Sequence, residues 1–240
     1  MGITRITVVD PNAEQRDRLA SEHIVHTTDD LAKAIAADIN VLAVKPQVIT
    51  TISEQVAANL SGKLILSIAA GVTIAKLEAL FGQIAIARTM PNTPALLGLG
   101  ATGLFVNKHT TGAQRVAAQA IIEAFGICVT VEREDLLDAV TAVSGSGPAY
   151  YFLMIEEMIR AGTELGLSPD DAKTLTVQTA LGAATMTAQG ESSEDLRARV
   201  TSPNGTTHAA IVSLQESDFG VVIAKAMTAC RDRAVELGRK

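Results

Sequence analysis

Lys63-Leu64-Ile65-Leu66-Ser67-Ile68-Ala69-Ala70-Gly71-Val72-Thr73 decides the fold: an apolar, β-rich run closes on a turn of small residues, and a threonine placed to cap a helix follows. That helix is predicted to run to about Phe81, with the Thr73 hydroxyl serving its first turn. Strand, tight turn and helix make up the unit of α/β layering, and the alternation extends both ways. Upstream, Arg5-Ile6-Thr7-Val8-Val9-Asp10 reads as a strand, followed by a polar helix from Glu14 to Glu22. Asn40-Val41-Leu42-Ala43-Val44 reads as a buried strand stopped at Lys45-Pro46, because proline supplies no backbone donor and restricts the residue before it. Downstream, Ile84 to Ala87, Ala101 to Val106 and Cys128 to Val131 are predicted strands, with a helix from about Ala113 to Phe125 before the last.

Past Glu132 the alternation stops. Leu136 to Ala142 begins a helical region, and from Ala149 to Leu165 and Ser168 to Ala188 apolar residues recur at helical spacing among many alanines. A chain of 240 residues is comfortable for two domains. We expect an α/β domain at residues 1–135 and an all-α domain at residues 136–240. Alanine, glycine and threonine on long helices favour close packing, so a helical dimer interface is expected in the second.

Composition limits the partners. Hydrophobic residues form 48% of the chain, ample for a packed core. A net charge of -6 leaves no general basic surface for nucleic-acid phosphates or an acidic membrane. No apolar run approaches the roughly 20 residues of a bilayer span. Met1-Gly2-Ile3-Thr4-Arg5 lacks the regions of a signal peptide and, with Ile6, the usual myristoylation pattern, so the expected location is the cytoplasm. Cys128 and Cys230 suggest no disulfide framework and read as small buried apolar residues. With His23, His26, His109 and His208 they show no metal-ligand spacing, and no metal site is expected.

In a doubly wound sheet, ligands bind beyond the carboxyl ends of the strands. Asp10 ends its strand, where a carboxylate can accept hydrogen bonds from an adenosine ribose; a turn or helix-cap aspartate before Pro11-Asn12 is the competing reading. Val44-Lys45-Pro46 offers a cation and a rigid turn for ribose or phosphate, against an ordinary solvated lysine. Ala70-Gly71 would let a flat ring approach the backbone, although strand-to-helix packing asks for the same residues. Met90-Pro91-Asn92-Thr93-Pro94 fixes an amide and a hydroxyl between two prolines. Val200 to Ala209 opens a helix whose unpaired N–H groups and dipole suit a carboxylate, with the Ser202, Thr206 and Thr207 hydroxyls adding directional partners. An ordinary capped helix is the alternative. Ser144-Gly145-Ser146-Gly147 does not fit the strand-to-helix elbow of a Ser-His-Asp hydrolase.

Val44-Lys45-Pro46-Gln47, Ala69-Ala70-Gly71-Val72, Arg88 to Pro94, Ser144 to Tyr150 and Thr201 to Thr207 resemble, in order and spacing, the motifs of pyrroline-5-carboxylate reductases. The resemblance runs from about Ile6 to the C-terminus. It implies a Rossmann-type cofactor domain followed by an all-α dimerisation domain, dimers often assembled into decamers, and a site between domains. The implied activity is reduction of 1-pyrroline-5-carboxylate to L-proline, the last step of proline biosynthesis, with NADPH or NADH as cofactor. The resemblance also implies roles. Val44, Lys45, Pro46, Ala70, Gly71, Met90, Pro91 and Asn92 border the cofactor. Ser202, Asn204, Gly205, Thr206 and Thr207 surround the substrate carboxylate and ring nitrogen, on a loop usually contributed by the partner subunit. Thr207 orients the ring nitrogen and can donate a proton. Asp10 would repel a 2′-phosphate and leans toward NADH, whereas the family frequently uses NADPH.

Two departures accompany the match. Asn204 stands where the family commonly has glycine, and asparagine tolerates left-handed backbone better than most residues. Members also begin with a strand and a GxGxxG turn that cradles the cofactor pyrophosphate. Here the chain opens at what should be the second strand, so the expectation is an incomplete cofactor domain without the first strand, its glycine turn and the first helix, and with weakened cofactor affinity. A non-catalytic oligomerising scaffold and another imine or hydroxy-acid reductase remain as alternatives. The hydroxy-acid version calls for a catalytic lysine, and Ala149 to Ala188 offers only Arg160 and Lys173.

Overall fold

A computed structural model describes residues 5–239; Met1 to Thr4, read above for processing signals, lie outside them. The described chain divides into two compact units, one reaching Gly145 and resuming at Cys230, the other Ser146–Ala229.

The first unit runs β1 (Thr7–Val9), α1 (Ala13–Glu22), β2 (His26–Thr28), α2 (Leu31–Ala34), β3 (Ile39–Leu42), α3 (Ile49–Val56), β4 (Leu64–Ser67), α4 (Ile74–Phe81), β5 (Ala85–Met90), β6 (Gly100–Val106), α5 (Gly112–Glu123), β7 (Gly126–Thr130) and α6 (Leu136–Val140). Several of its helices start where side chains can take orphan N–H groups. Asn12 accepts from Glu14 and Gln15, Thr73 from Lys76, and Thr111 forms a reciprocal cap with Gln114. β2, α2 and α3 were not foreseen: two are only three or four residues long, and none carries strong punctuation.

The strands form two sheets, β1-β2 and β3-β4-β5-β6-β7. All neighbours are parallel except β5 and β6. The exception follows from connection length, since the short segment between them, with one 3-10 turn at Thr93–Leu97, has no room for a helical crossover. β4 is buried throughout, as its apolar run demands of a strand covered on both faces. Its alternation sorts the core: Ile65 joins Ile49, Val56, Leu77, Phe81 and Ile86 on the α3 and α4 side, while Leu64 and Leu66 join Ala87, Leu104, Ala118 and Ile122 on the α5 side.

The second unit contains α7 (Gly147–Glu164), α8 (Pro169–Ala188), α9 (Ser193–Arg199), α10 (Thr206–Glu216) and most of α11 (Phe219–Gly238), whose last turns from Cys230 belong to the first. From sequence the division is expected at 135/136; by compactness α6 and the end of α11 stay with the sheets. Among the described residues of the second unit only Gly147, Ala172 and Thr176 are buried. Tyr151, Phe152, Leu153 and Met154 are all exposed, and consecutive helical residues point about 100° apart, so bare apolar surface surrounds α7. Both cysteines are half-buried rather than buried. Burial, then the Glu123 carboxylate, pushes the Cys128 thiol above its ordinary pKa.

Candidate functional site

β3, β4 and β5 are adjacent and parallel, so their carboxyl ends share one edge. Leu42 pairs in register with Ser67, and Ser67 with Arg88. Lys45, Ala70 and Pro91 each follow that level by the same step of three residues, which brings the three predicted cofactor segments to one rim. Lys45 is exposed, forms no ion pair among the described residues, and precedes a 3-10 turn with Pro46 at its first position. Ala69 is buried while Ala70 is exposed. Gly71 has φ +74°, and a Cβ there would lie 3.3 Å from the Leu237 Cβ, so both conformation and space require glycine.

Asp10 ends β1 with its N–H on the Thr28 carbonyl. Its Oδ1 accepts from the Asn12 N–H at 2.8 Å, and its carbonyl accepts from Arg16 Nη1 at 2.7 Å. The turn reading of Asp10 is therefore realised. Arg16, which sequence reasoning missed, also lies 3.7 Å from Asp29. It could be found only by counting helical turns from an aspartate whose carbonyl needs a donor.

The Asn92 amide is engaged at both ends. Oδ1 accepts from the Ala101 N–H at 2.9 Å, and Nδ2 donates to the Ser144 carbonyl at 3.0 Å. Ser144 lies in a π turn, Thr141–Gly145, of a kind often found at functional sites. Thr141 Oγ1 donates to the Leu137 carbonyl, and Ser144 Oγ to that of Val140. Gly145 faces the Met90 methyl so closely that an added Cβ would lie 2.6 Å from it.

Gly98-Leu99-Gly100-Ala101-Thr102-Gly103 has the spacing of a phosphate-binding glycine turn, but most of it is strand β6 rather than a strand-to-helix turn. Packing accounts for two of its glycines: a Cβ on Gly100 would lie 2.8 Å from the Phe125 carbonyl, and one on Gly103 would lie 2.7 Å from Val140. A reduced nicotinamide dinucleotide fits the rim described above. It offers an exposed cation at Lys45 and an uncovered Ala70 beside a left-handed glycine, while the Asp10 carboxylate follows a strand of the other sheet.

In the second unit, Asn204 has φ 61°, so its left-handed position is one that asparagine tolerates, as expected. The Gly205 N–H donates to the Ser202 carbonyl at 3.0 Å, and Gly205 becomes the N-cap of α10 without any side-chain oxygen. α1, α4, α5, α8 and α9 are all capped by their own Asn, Thr or Ser. The first N–H groups of α10 thus lack a side-chain cap, with Thr206 exposed and Thr207 half-buried beside them. Ser202 and Asn204 are exposed on the preceding turn.

Comparison with known proteins agrees with this organisation. Residues 134–237 match the family described as pyrroline-5-carboxylate reductase dimerisation. Residues 2–71 match NADP oxidoreductase coenzyme F420-dependent. A pyrroline-5-carboxylate reductase of Pseudomonas aeruginosa is 47% identical over 98% of this chain and 88% of its own. The structure of a pyrroline-5-carboxylate reductase from Coxiella burnetii superposes with a TM-score of 0.94 at 40% identity, covering 98% of this chain and 89% of that one. A Plasmodium falciparum pyrroline carboxylate reductase with NADP bound gives 0.85 at 30% identity, covering 97% and 87%.

Proposed function

The chain belongs to the pyrroline-5-carboxylate reductase family, and we propose that it reduces 1-pyrroline-5-carboxylate to L-proline with NADH or NADPH as hydride donor, the last step of proline biosynthesis. One observation carries the residue assignment: α10 begins on a glycine with no side-chain cap, behind a left-handed asparagine, and between hydroxyls. The Thr206 and Thr207 N–H groups hold the substrate carboxylate, where the helix dipole favours negative charge. Ser202 and Thr206 orient it, and Asn204 and Gly205 let the backbone approach. The Thr207 hydroxyl hydrogen-bonds the ring nitrogen and can supply its proton.

In the first unit, Asp10 accepts from adenosine ribose hydroxyls, and the Arg16 guanidinium beside it offsets the charge that would repel a 2′-phosphate. Val44, Lys45 and Pro46 contact ribose and phosphate. Ala70 and Gly71 leave room for a flat ring bordered by Met90, Pro91 and Asn92. When bound, the cofactor supplies the hydride. A protonated cyclic imine is already electrophilic, so the chain's task is positioning. Arg160 is committed to Glu157 and Glu164 at 2.6 and 2.8 Å on an exposed helix face, which leaves Lys173 as the cation that the hydroxy-acid alternative would have to use.

The chain forms a homo-oligomer through its dimerisation domain. A unit with so few buried residues cannot offset its own ordering entropy and needs a partner around α7 and α8. Dimers, their assembly into decamers, and a cytoplasmic location complete the proposal. The test is Thr207→Ala: turnover should fall at least about tenfold with secondary structure and oligomer size retained. Unchanged turnover would remove Thr207 from the mechanism.

A further inference from the structure

Arg88 stands immediately before the Thr89-Met90-Pro91-Asn92 segment, yet its side chain is only 10% exposed. Its Nη1 donates to Glu134 Oε1 at 2.7 Å. The same carboxylate oxygen accepts the backbone N–H of Ile74, also at 2.7 Å. Ile74 is the first residue of α4, directly after the Ala70-Gly71 turn and its Thr73 cap. Thr73 already serves the Lys76 N–H. Glu134, distant in sequence, takes a second orphan donor and places negative charge at the positive end of the helix. One oxygen therefore ties together the end of β5, the start of α4 and the approach to α6.

Stability alone is a poor explanation. The desolvation of a largely buried ion pair offsets much of its attraction, and apolar side chains of similar volume often stabilise as well or better. Apolar contacts lack direction, whereas a charge-assisted bond to one oxygen fixes two loops against each other. We propose that the Arg88–Glu134 pair is a positioning device that sets the spacing between the Ala70-Gly71 turn and the Met90–Asn92 segment, and thereby the affinity for the nicotinamide dinucleotide. This rests on the reductase assignment above. The pair acts through the loops, and Arg88, Glu134 and their partner Ile74 all lie in the first unit.

Two variants of the 240-residue chain test it, Glu134→Ala and the double replacement Arg88→Met with Glu134→Leu. NADPH and NADH are titrated directly by their fluorescence, amide exchange is followed at Ile74, and KM for each substrate is measured. Glu134→Ala should weaken dinucleotide binding and raise its KM about tenfold, speed exchange at Ile74, and leave the imine KM and the saturated turnover within about threefold. The double variant, which still leaves the Ile74 N–H without its acceptor, should regain part of the lost melting temperature without regaining dinucleotide affinity, and it carries the test if Glu134→Ala does not fold. Recovery of affinity together with stability would make the pair merely structural and overturn the proposal. So would wild-type affinity in Glu134→Ala. A wild-type chain that bound neither dinucleotide would instead overturn the reductase assignment, and the proposal with it.

Discussion

Replacing Asn92 by alanine separates a residue that shapes the site from one that only touches ligand. The amide receives the Ala101 N–H and donates to the Ser144 carbonyl, so truncation leaves one donor and one acceptor without partners. A fully buried unsatisfied group costs about 1–3 kcal/mol. Asn92, Ala101 and Ser144 are half-buried, which places each loss at the lower end and the sum at about 2 kcal/mol. For a chain of this size that corresponds to a fall of about 4–8 °C in melting temperature. The chain has no tryptophan, so unfolding is best followed by far-ultraviolet circular dichroism at fixed protein concentration. Asn92→Asp should fall between, since it keeps an acceptor for Ala101 but sets a carboxylate against the Ser144 carbonyl. A wild-type melting temperature in Asn92→Ala would refute the clasp and return Asn92 to a role confined to ligand contact.

Gly71→Ala should cost about 1–2 kcal/mol for its left-handed backbone, with further crowding against Leu237, and should raise the dinucleotide KM more than the imine KM; equal effects on both would count against this rim as the cofactor edge. Burial raises the Asp138 carboxyl pKa, opposed by the Arg88 guanidinium and aided by Glu134 and Asp135. Because the folded pKa is raised, ionisation opposes folding once pH climbs through the unfolded and then the folded value. Asp138→Asn should therefore melt higher than wild type near neutral pH, with the gain vanishing below about pH 4; a gain independent of pH would exclude this cause. Leu175→Asp on α8 should lower the association constant and expose the second unit to proteolysis on dilution, as read by light scattering; an unchanged oligomer would leave α8 outside the interface.

Much of the fold was legible where local chemistry and burial agree. Leu64 to Leu66 is uniformly apolar because the strand is covered on both faces, and Thr73 marks the following helix without ambiguity. β2 eluded sequence inspection because His26-Thr27-Thr28 is short and half-exposed, and among the described residues it pairs with β1 alone. The antiparallel placing of β6 depends on the length of a connection, which a pattern of apolar residues does not encode. The left-handed backbone at Asn204, φ 61°, was legible only through the resemblance, whose members commonly have glycine there. The Arg88–Glu134 pair was not, since it joins residues far apart in the chain and an isolated charge reads as solvated surface. The long helices of the second unit were legible as helices, yet their exposed apolar residues become intelligible only as a surface that a second copy covers.

The most direct measurement of the central claim is to supply the purified chain with pyrroline-5-carboxylate and NADH or NADPH, follow the loss of reduced nicotinamide, and quantify proline. Proline should appear in an amount equal to the cofactor oxidised, with Thr207→Ala slower at the same oligomer size. A folded, oligomeric chain that forms no proline with either cofactor would contradict it.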